Sequence, residues 1–313
     1  MITLTTVAEL RAWCDSARRD RARVGFVPTM GFFHEGHRSL MRAARSANDV
    51  VVVSLFVNPT QFGAGEDLTR YPRDPDGDAA VAAAEGVDVL FVPSVDEVYP
   101  DGVCTTVHVE GLTGGLCGAS RPGHFDGVTT VVAKLFSMVG PCHAYFGRKD
   151  AQQLAVIRRM AVDLNLPVEV VGCPLVRERD GLAMSSRNAY LSADERAAAT
   201  VLSRALRVAG DAARAGIRDA ARLRSLVVAT VSDTPGVRLE YAEVVDAATL
   251  QPLDTVDRDA LVAVAAFVGT TRLIDNVSFF LDGDVVAVDT GIVTPSIADP
   301  STRTVLTRLG AVS

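Results

Sequence analysis

The chain has 313 residues, of which 31 are basic and 38 are acidic, so its formal net charge at pH 7 is −7. This acidic balance disfavours a nucleic-acid binder, which would show a basic stripe, and the apolar runs are far shorter than the ~18 residues that a membrane helix needs. The five cysteines are scattered without C-x-x-C spacing, and the N-terminus shows no signal-peptide pattern. We therefore expect a cytoplasmic protein with neither disulfides nor zinc.

Short apolar runs alternate with helical patterns up to about residue 175, which predicts an α/β fold with a doubly wound, parallel, Rossmann-like sheet. The predicted strands are Val24–Val27, Val50–Val57, Val87–Val92, Ala144–Phe146 and Val168–Val171. The predicted helices are His37–Ala47, Asp76–Glu85, Val128–Val139 and Ala151–Leu164. In such sheets ligands bind at the carboxyl ends of the strands, and the polar segments of this chain fall at those ends.

A smaller C-terminal α+β domain is predicted at residues 176–283. Ser192 and Glu195 form a capping-box pattern at the start of an Ala/Arg-rich helix, and a second helix is predicted at Asp219–Ser232. The predicted antiparallel strands are Leu239–Val245, Ala260–Phe267 and Thr271–Val277. We expect residues 284–313 to form a peripheral tail of unknown role.

The first predicted strand leads into Pro28-Thr29-Met30-Gly31-Phe32-Phe33-His34-Glu35-Gly36-His37, and a helical pattern follows. Free backbone N–H groups and the helix dipole favour an anion at such a helix N-terminus. Histidines three residues apart can reach one ligand, so His34 and His37 indicate a nucleotide-phosphate site. The alternatives are capping or packing histidines and a metal site, and zinc is disfavoured because no further ligand lies at familiar spacing.

Two further segments carry groups suited to a small polar substrate. Asn58 and Gln61 follow the second strand and offer amide donors and acceptors, although Asn58-Pro59 alone also indicates a turn. Arg121 and His124 lie in a Gly/Pro-rich loop, where an arginine fork can bind a carboxylate. The alternative for that loop is an ordinary surface arginine.

Two more segments suggest phosphate binding. Gly147-Arg148-Lys149-Asp150 joins a predicted strand to a helix, and Lys149 is a point charge suited to a phosphate. Asp150 is either a ligand contact or a helix N-cap. The loop Met184-Ser185-Ser186-Arg187 supplies hydroxyls and a guanidinium that are able to close over a triphosphate, with an ordinary interdomain loop as the alternative.

Together, in this order from about residue 24 to 190, these segments resemble the pantoate–β-alanine ligase family. These ligases are nucleotidyltransferases that share the H-x-G-H motif with class I aminoacyl-tRNA synthetases. The resemblance implies ATP-dependent condensation of (R)-pantoate with β-alanine, through a pantoyl adenylate, to pantothenate, AMP and pyrophosphate. It also implies Mg²⁺ on the phosphates, a homodimer, ATP and pantoate binding by residues 1–175, and a lid role for residues 176–283.

The resemblance further implies individual roles. The implied ATP-binding residues are Met30, Gly31, Phe32, Phe33, His34, Glu35, Gly36, His37, Gly147, Arg148, Lys149, Asp150, Val176, Met184, Ser185, Ser186 and Arg187. His37, His34 and Lys149 are the implied catalytic residues, with His37 as proton donor. Pantoate is assigned to Gln61 and Gln153, and β-alanine to Gln61, Asn58, Arg121 and His124. Asp78 is the implied outer-sphere magnesium contact.

The chain departs from the family pattern at Phe32-Phe33, Arg148 and Ala151, beside positions expected to contact ligands. Three alternative functions compete with the ligase. One is a nucleotidyltransferase that keeps the nucleotide on its product, which would have no use for the residues assigned to the second substrate. Another is a tRNA synthetase, which the acidic balance disfavours. A non-catalytic nucleotide-binding regulator is disfavoured because His34, His37 and Lys149 are all present.

Overall fold

Six parallel strands form the first sheet of the computed structural model, which describes residues 1–283 and 285–294. The strands are β1 (Ile2–Leu4), β2 (Val24–Thr29), β3 (Val50–Leu55), β4 (Val89–Phe91), β5 (Cys142–Gly147) and β6 (Val168–Cys173). They lie in the order β1-β4-β3-β2-β5-β6, and every neighbouring pair is parallel. The predicted fold class is therefore confirmed.

Seven α-helices and three short 3₁₀ turns accompany this sheet within the described residues. The helices are α1 (Val7–Arg19), α2 (Glu35–Ala47), α3 (Pro75–Ala84), α4 (Val95–Val98), α5 (Leu116–Ser120), α6 (His124–Val139) and α7 (Ala151–Asp163). The 3₁₀ turns are Pro59–Gln61, Asp67–Thr69 and Arg148–Asp150. No helix in the described ranges is both long and apolar enough to span a bilayer.

The helices cover both faces of the sheet, as a doubly wound fold requires. Phe26 of β2 packs in one core with Leu10 of α1 and Phe136 of α6. Its neighbour Val27 points to the opposite face and packs with Met41 of α2. Successive strand residues alternate between faces, so the continuous apolar run of β2 indicates a strand that is buried on both sides.

The sheet has its topological switch point at β2. From β2 the chain proceeds to β3 and then β4 on one side, and it returns to place β5 on the other side. β2 and β5 are direct neighbours, with Gly25 opposite His143 in the register. Ligands of open α/β sheets bind in the crevice outside the carboxyl ends of the strands at such a point.

Several element boundaries differ from the prediction. β1 and α1 were not predicted, although Thr6 and Glu9 form a capping box at the start of α1 that the sequence also displays. Helix α6 begins at His124 rather than Val128, directly after Gly123 with its left-handed φ of 79°. Helix α2 begins at Glu35, because the ring of His34 caps it.

The C-terminal part contains a second, antiparallel sheet. After β7 (Val176–Arg177) and a 3₁₀ turn (Ser186–Tyr190), the elements are α8 (Ala193–Ala199), α9 (Val201–Arg214), α10 (Ala220–Ser232), β8 (Val237–Asp246), β9 (Ala260–Val268), β10 (Thr271–Asp282), β11 (Val285–Asp289) and β12 (Ile292–Val293). The sheet order is β11-β10-β9-β8. Leu206 of α9 and Leu223 of α10 pack against this sheet, and the Ser192–Glu195 capping box is confirmed.

The expectation of a peripheral tail after residue 283 is corrected for its described part. β11 pairs with β10 as the fourth strand of the antiparallel sheet. β12 pairs in parallel with β7, so Ile292 lies opposite Val176. The apolar run Val285-Val286-Ala287-Val288 shortly after Gly283 was the signal for this hairpin. Residues 284 and 295–313 lie outside the described residues.

Candidate active site

A cavity of about 240 Å³ opens at the carboxyl ends of β2 and β5. Its walls come from the end of β2, the first turn of α2, one face of α6, the segment after β5 and the loop 184–187. The topological switch point thus brings together the segments that the sequence singled out. A second, smaller cavity of about 70 Å³ adjoins it beside Lys149, Asp150 and Asn276.

The two histidines of the H-x-G-H motif lie ring to ring, with centroids 4.1 Å apart. The Gly36 N–H donates to Nδ1 of His34 (3.2 Å), and the His34 N–H donates to Nδ1 of His37 (3.3 Å). An imidazole nitrogen that accepts cannot also carry the proton. Each neutral ring therefore has its proton on Nε2, where it can donate to a phosphate oxygen.

Both histidines are electrically neutral near pH 7 in the ligand-free protein. Burial, with the nearby Lys149 cation as the second cause, lowers the pKa of His34 from 6.5 to about 4. Burial, followed by His34 and Lys149, also lowers the pKa of His37 well below 6.5. Without a ligand, the pair therefore offers neutral N–H donors rather than two positive charges.

Asp78 holds the loop that precedes the histidines. Its two carboxylate oxygens accept hydrogen bonds from the backbone N–H groups of Phe32 (2.8 Å) and Phe33 (2.6 Å). Phe32 has a left-handed φ of 53°, a strained conformation for a bulky residue. Asp78 is 3% exposed and does not line the cavity. These contacts give Asp78 a structural role, and the implied outer-sphere magnesium contact stays a prediction.

Asn58 orients Gln61, and the turn at Pro59–Gln61 forms around it. Its Nδ2 donates to Oε1 of Gln61 (3.1 Å) and to the Gly127 carbonyl (3.1 Å), while its Oδ1 accepts from the hydroxyl of Tyr99 (2.8 Å). With 1% exposure and these partners, Asn58 holds the side chain of Gln61 in place, and its implied contact with β-alanine stays a prediction. Nε2 of Gln61 has only the thioether of Met30 as its partner among the described residues, at 3.2 Å. Since a thioether is a weak acceptor, this N–H group can donate to a ligand oxygen instead.

Arg121 and His124 share one hydrogen-bonded group with Glu66. Arg121 makes a forked ion pair with Glu66 (2.7 and 2.5 Å) and donates to Nε2 of His124 (3.0 Å). Since Nε2 accepts, Nδ1 of His124 carries the proton and donates to the carbonyl of Gln61 (2.8 Å). Burial, and then the Arg121 charge, lower the pKa of His124 to about 4, which agrees with a neutral ring.

The segment after β5 presents a lysine, a carboxylate and an open backbone to the cavity. Nζ of Lys149 lies 3.6 Å from Oδ1 of Asp150. Asp150 occupies the N-cap position of α7, but its side chain makes no capping hydrogen bond, which leaves it available for a ligand. A Cβ added to Gly147 would meet no atom of the described chain within 4 Å, so the backbone there faces open space.

The loop 184–187 is fastened to neighbouring segments of the site. The Met184 N–H donates to the carbonyl of Val176 (2.9 Å), which joins two segments of the implied ATP site. The Ser185 hydroxyl accepts from the Arg187 N–H (3.3 Å). The Arg187 guanidinium makes two hydrogen bonds of 2.8 Å to the carboxylate of Asp67. The fork of Arg187 is therefore already occupied by a carboxylate in this structure.

One wall of the cavity is apolar, and the sequence reasoning assigned no ligand to it. Val128, Val131, Val132 and Leu135 line the cavity from helix α6. Their spacing of three and four residues places them on one helix face. The signal was available in the predicted helix Val128–Val139, but periodicity alone does not distinguish a pocket wall from ordinary core.

The sequence profile of the pantoate–β-alanine ligases matches residues 2–278 of this chain. The chain belongs to the pantoate–β-alanine ligase family. The family resemblance inferred from the motifs is therefore confirmed, over a longer stretch than the motifs themselves span.

Individual relatives agree with the family assignment. The chain is 58% identical to the pantothenate synthetase of Heliobacterium modesticaldum and 55% identical to that of Pelotomaculum thermopropionicum, each over 276 residues that cover 88% of this chain and 98% of the relative. The crystal structure of the Thermus thermophilus pantothenate synthetase superposes with a TM-score of 0.84 at 51% identity, covering 88% of this chain and 98% of that one. The Francisella tularensis pantoate–β-alanine ligase, complexed with β,γ-ATP and β-alanine, gives 0.73 at 34% identity, covering 91% and 99%.

Most of the implied ligase residues lie on the cavity wall. They are Met30, His34, Gly36, His37, Asn58, Gln61, Arg121, His124, Gly147, Lys149, Asp150, Gln153, Val176, Met184, Ser185, Ser186 and Arg187. Gly31, Phe32, Phe33, Glu35, Arg148 and Asp78 are not on that wall. Glu35 instead pairs with Arg42 on the outer face of α2, and Arg148 pairs with Asp289 of β11 at 3.2 Å.

The departures from the ligase family pattern lie off the wall of the main cavity, although Ala151 lines the smaller second cavity. The ring of Phe33 lies 5.5 Å from that of His37, so it supports the histidine pair. Arg148 connects the segment after β5 to the C-terminal sheet through Asp289. Ala151 packs in a small apolar cluster with Leu116 and Leu261.

Proposed function

We propose that the chain condenses pantoate with β-alanine at the expense of ATP, releasing AMP and pyrophosphate. One observation carries the proposal: a single cavity joins a phosphate-binding half to a half lined by amides, an arginine and an apolar wall. The Nε2–H donors of His34 and His37 and the charge of Lys149 supply the phosphate half. The ATP and β-alanine in the Francisella tularensis ligase structure support the assignment of these substrates.

The second half of the cavity suits a branched hydroxy acid. The aliphatic face of α6, which includes Val131 and Val132, can pack against the two methyl groups of pantoate. The amides of Gln61 and Gln153 supply hydrogen bonds for its hydroxyl and carboxylate groups. The implied β-alanine residue Arg121 is already paired with Glu66, so we propose that the β-alanine carboxylate replaces Glu66 as its partner.

The reaction then needs positioning and charge neutralisation rather than a protein nucleophile. A pantoate carboxylate oxygen attacks the α-phosphorus of ATP, and the bond to the departing pyrophosphate breaks. The β-alanine amine next attacks the acyl carbon, loses a proton, and AMP departs. We propose that Lys149 faces the phosphates as a fixed cation and that Arg187 joins it by exchanging Asp67 for a phosphate. Such groups favour the transition state because their orientation is set before the reaction.

We propose that His37 acts first as a hydrogen-bond donor. Its burial and its neighbours His34 and Lys149 keep its pKa low in the ligand-free protein, so it holds no extra proton to give when ATP enters. The negative charge of the phosphates opposes that shift once they are bound. The assignment of His37 as a proton donor stays a prediction.

We propose that Mg²⁺ enters with ATP. Within residues 1–283 and 285–294, no group of three or more His, Cys, Asp or Glu side chains is gathered for a metal. Magnesium commonly keeps several waters and binds through phosphates with one or two carboxylates. Asp150, which lines the cavity and whose side chain makes no capping bond, fits such a site. The ion would neutralise phosphate charge.

A product assay tests the proposal. Purified protein is incubated with ATP, Mg²⁺, pantoate and β-alanine, and the nucleotide and acid products are separated by chromatography. We expect AMP and pantothenate in equal amounts, and turnover that needs both organic substrates. Formation of ADP, or turnover that does not depend on β-alanine, would contradict the proposal.

The homodimer and the cytoplasmic location are also proposals. The family resemblance supports the first, and the free state of all five cysteines is compatible with the reducing compartment that the second requires. Light scattering coupled to gel filtration tests the oligomeric state. A mass of one chain would contradict the dimer.

A further inference from the structure

A side chain of the C-terminal sheet holds the segment that carries Lys149. Nδ2 of Asn276, in β10, donates to the carbonyl oxygens of Lys149 (2.8 Å) and Arg148 (3.1 Å). Asn276 is 7% exposed, so water competes little for these bonds. One amide nitrogen thus contacts two successive peptide groups of the candidate ATP site.

These two peptide groups flank the Cα of Lys149. The Arg148 carbonyl belongs to the peptide unit before Lys149, and the Lys149 carbonyl belongs to the unit after it. Peptide units are planar, so fixing both planes fixes the two backbone dihedrals of Lys149 and the direction of its Cα–Cβ bond. Asn276 therefore sets the direction in which the lysine side chain leaves the backbone.

Asn276 is itself held by a buried ion pair. Arg177 of β7 makes a forked pair with the neighbouring Asp275 (2.6 and 2.9 Å), and its Nη2 also donates to the carbonyl of Asn276 (3.3 Å). Asp275 in turn accepts from the Asn276 N–H (2.7 Å). Both peptide groups of Asn276 are thereby attached to the pair.

The guanidinium of Arg177 has no donor left over for a ligand. Arginine has five N–H donors, and Arg177 directs them to the two oxygens of Asp275 and to the carbonyls of Asn276, Gly181 and Thr290. A buried ion pair is weak evidence for stability, because desolvation offsets the attraction. In this protein the ion pair instead fixes the position at which β10 meets the candidate site.

We infer that Asn276 is a positioning residue for Lys149, and that Arg177 and Asp275 align it. The inference rests on the proposed function, because Lys149 is assigned there to the phosphates of ATP. It gives the C-terminal sheet a part in the first chemical step. Asn276 does not line the main cavity, so its effect on ATP passes through Lys149.

The test measures the first half-reaction by itself. Pantoate-dependent exchange of labelled pyrophosphate into ATP reports adenylation without β-alanine. Asn276→Asp keeps the shape of the side chain but replaces the donor with an oxygen that faces two carbonyl oxygens. We expect the exchange rate at saturating ATP to fall about 10- to 100-fold, as misplacement of a catalytic group commonly produces, and the KM for ATP to rise.

Two companion variants make the result specific. Asn276→Ala removes the donor without adding charge, and it decides the question if Asn276→Asp does not fold. Ser278→Ala is the matched control on the same strand, because Ser278 makes no side-chain hydrogen bond in the described part of the chain. We expect the control to retain the exchange rate, and both Asn276 variants to retain a cooperative thermal transition.

A double-mutant cycle with Lys149→Ala identifies the route of the effect. If Asn276 acts through Lys149, then Asn276→Ala weakens ATP binding in the wild type but changes it little in the Lys149→Ala background. Equal losses in both backgrounds, or an unchanged exchange rate in a folded Asn276 variant, would overturn the inference. Absence of pantoate-dependent exchange in the wild type would instead overturn the proposed function, so the two failures are distinguishable.

Discussion

Arg187 of the loop 184–187 and Asp67 of the second 3₁₀ turn are joined by two hydrogen bonds of 2.8 Å each. Their side chains are 27% and 14% exposed, so solvent screens the pair only in part. If Arg187 binds the phosphates of ATP, it must exchange this carboxylate for a phosphate. Asp67 therefore competes with ATP for Arg187, and replacing Asp67 should change the affinity for ATP in a predictable direction.

Asp67→Asn should tighten ATP binding. Loss of the competing charge should lower the dissociation constant about two- to fivefold, since partly exposed ion pairs are worth about 0.5–1 kcal/mol. Isothermal titration calorimetry with ATP measures the change. Asp163→Asn is the matched control, because Asp163 pairs with Arg159 on the surface of α7. Weaker ATP binding by Asp67→Asn would show that this carboxylate supports the nucleotide instead.

The stability of the fold should depend on its buried histidines. The pKa values of His34 and His124 are lowered to about 4, whereas a histidine in an unfolded chain titrates near 6.5. Between these values the unfolded state binds protons that the folded state does not. The stabilisation is therefore complete above about pH 6.5 and is lost as pH falls towards 4, by about 1.4 kcal/mol per pH unit for each histidine.

Urea denaturation across this pH range measures that slope. His34→Asn keeps a residue that can cap helix α2 but removes one titrating group. The change of unfolding free energy with pH should therefore become smaller by the contribution of one histidine, about 1.4 kcal/mol per pH unit. A midpoint that does not change with pH in the wild type would contradict the prediction. So would an identical slope in the variant.

Gly147→Ala should impair ATP binding without affecting the fold. The backbone there is extended, with φ −79° and ψ 137°, and an added Cβ would meet no atom of the described chain within 4 Å. A methyl group would therefore collide only with a ligand. We expect the KM for ATP to rise about tenfold or more, which corresponds to about 1.4 kcal/mol, while the melting temperature stays within experimental error.

Gly115→Ala is the control for that change. Gly115 also has an extended φ of −111° and open space at its Cβ position, but it does not line the main cavity. An unchanged KM for ATP in Gly147→Ala would show that the nucleotide stays away from this backbone.

Asp78→Asn distinguishes a structural carboxylate from a magnesium contact. An asparagine offers only one acceptor oxygen to the N–H groups of Phe32 and Phe33, so one buried donor is left unsatisfied, at a cost of about 1–3 kcal/mol. We expect a lower unfolding free energy by chemical denaturation. The Mg²⁺ concentration at half-maximal activity should stay the same. A shift in that concentration at unchanged stability would support the magnesium role instead.

The meeting of His34, Lys149 and Arg187 at one cavity was predictable from the sequence, and the reason is local. His34, Lys149 and Arg187 each lie in a short polar segment, and the first two follow directly on a buried strand, so their position could be inferred from the strand pattern alone. Parallel strands bring such segments to one edge. No knowledge of which strand neighbours which was needed to expect a shared ligand.

Partner choice within the site could not be predicted, because it depends on contacts between distant segments. Nothing near Asp78 in the sequence indicates that it accepts from Phe32 and Phe33. Likewise, Glu66 and Arg121 are separated by several elements, and Asn276 belongs to another sheet. Side chains of this kind select partners only after packing has brought the segments together, so these hydrogen bonds are visible only in the structure.

The C-terminal hairpin shows a different limit. The run Val285–Val288 carries a strand pattern, but a short apolar run after a glycine is ambiguous without its partner. Pairing with β10 resolves the ambiguity. Ile292 and Val176 lie even farther apart in the sequence, so their pairing is visible only in the folded structure.

The hydrogen bonds from Asn276 to the segment of Lys149 can form only late in the synthesis of the chain. The ribosome makes the histidine pair first, Lys149 next, and Arg187 after that, whereas Asn276 emerges only near the end of the ligase-family region. A nascent chain can therefore complete its parallel sheet and still lack the contact that directs Lys149. Until Asn276 is in place, such a chain should adenylate pantoate only as slowly as the Asn276→Ala variant.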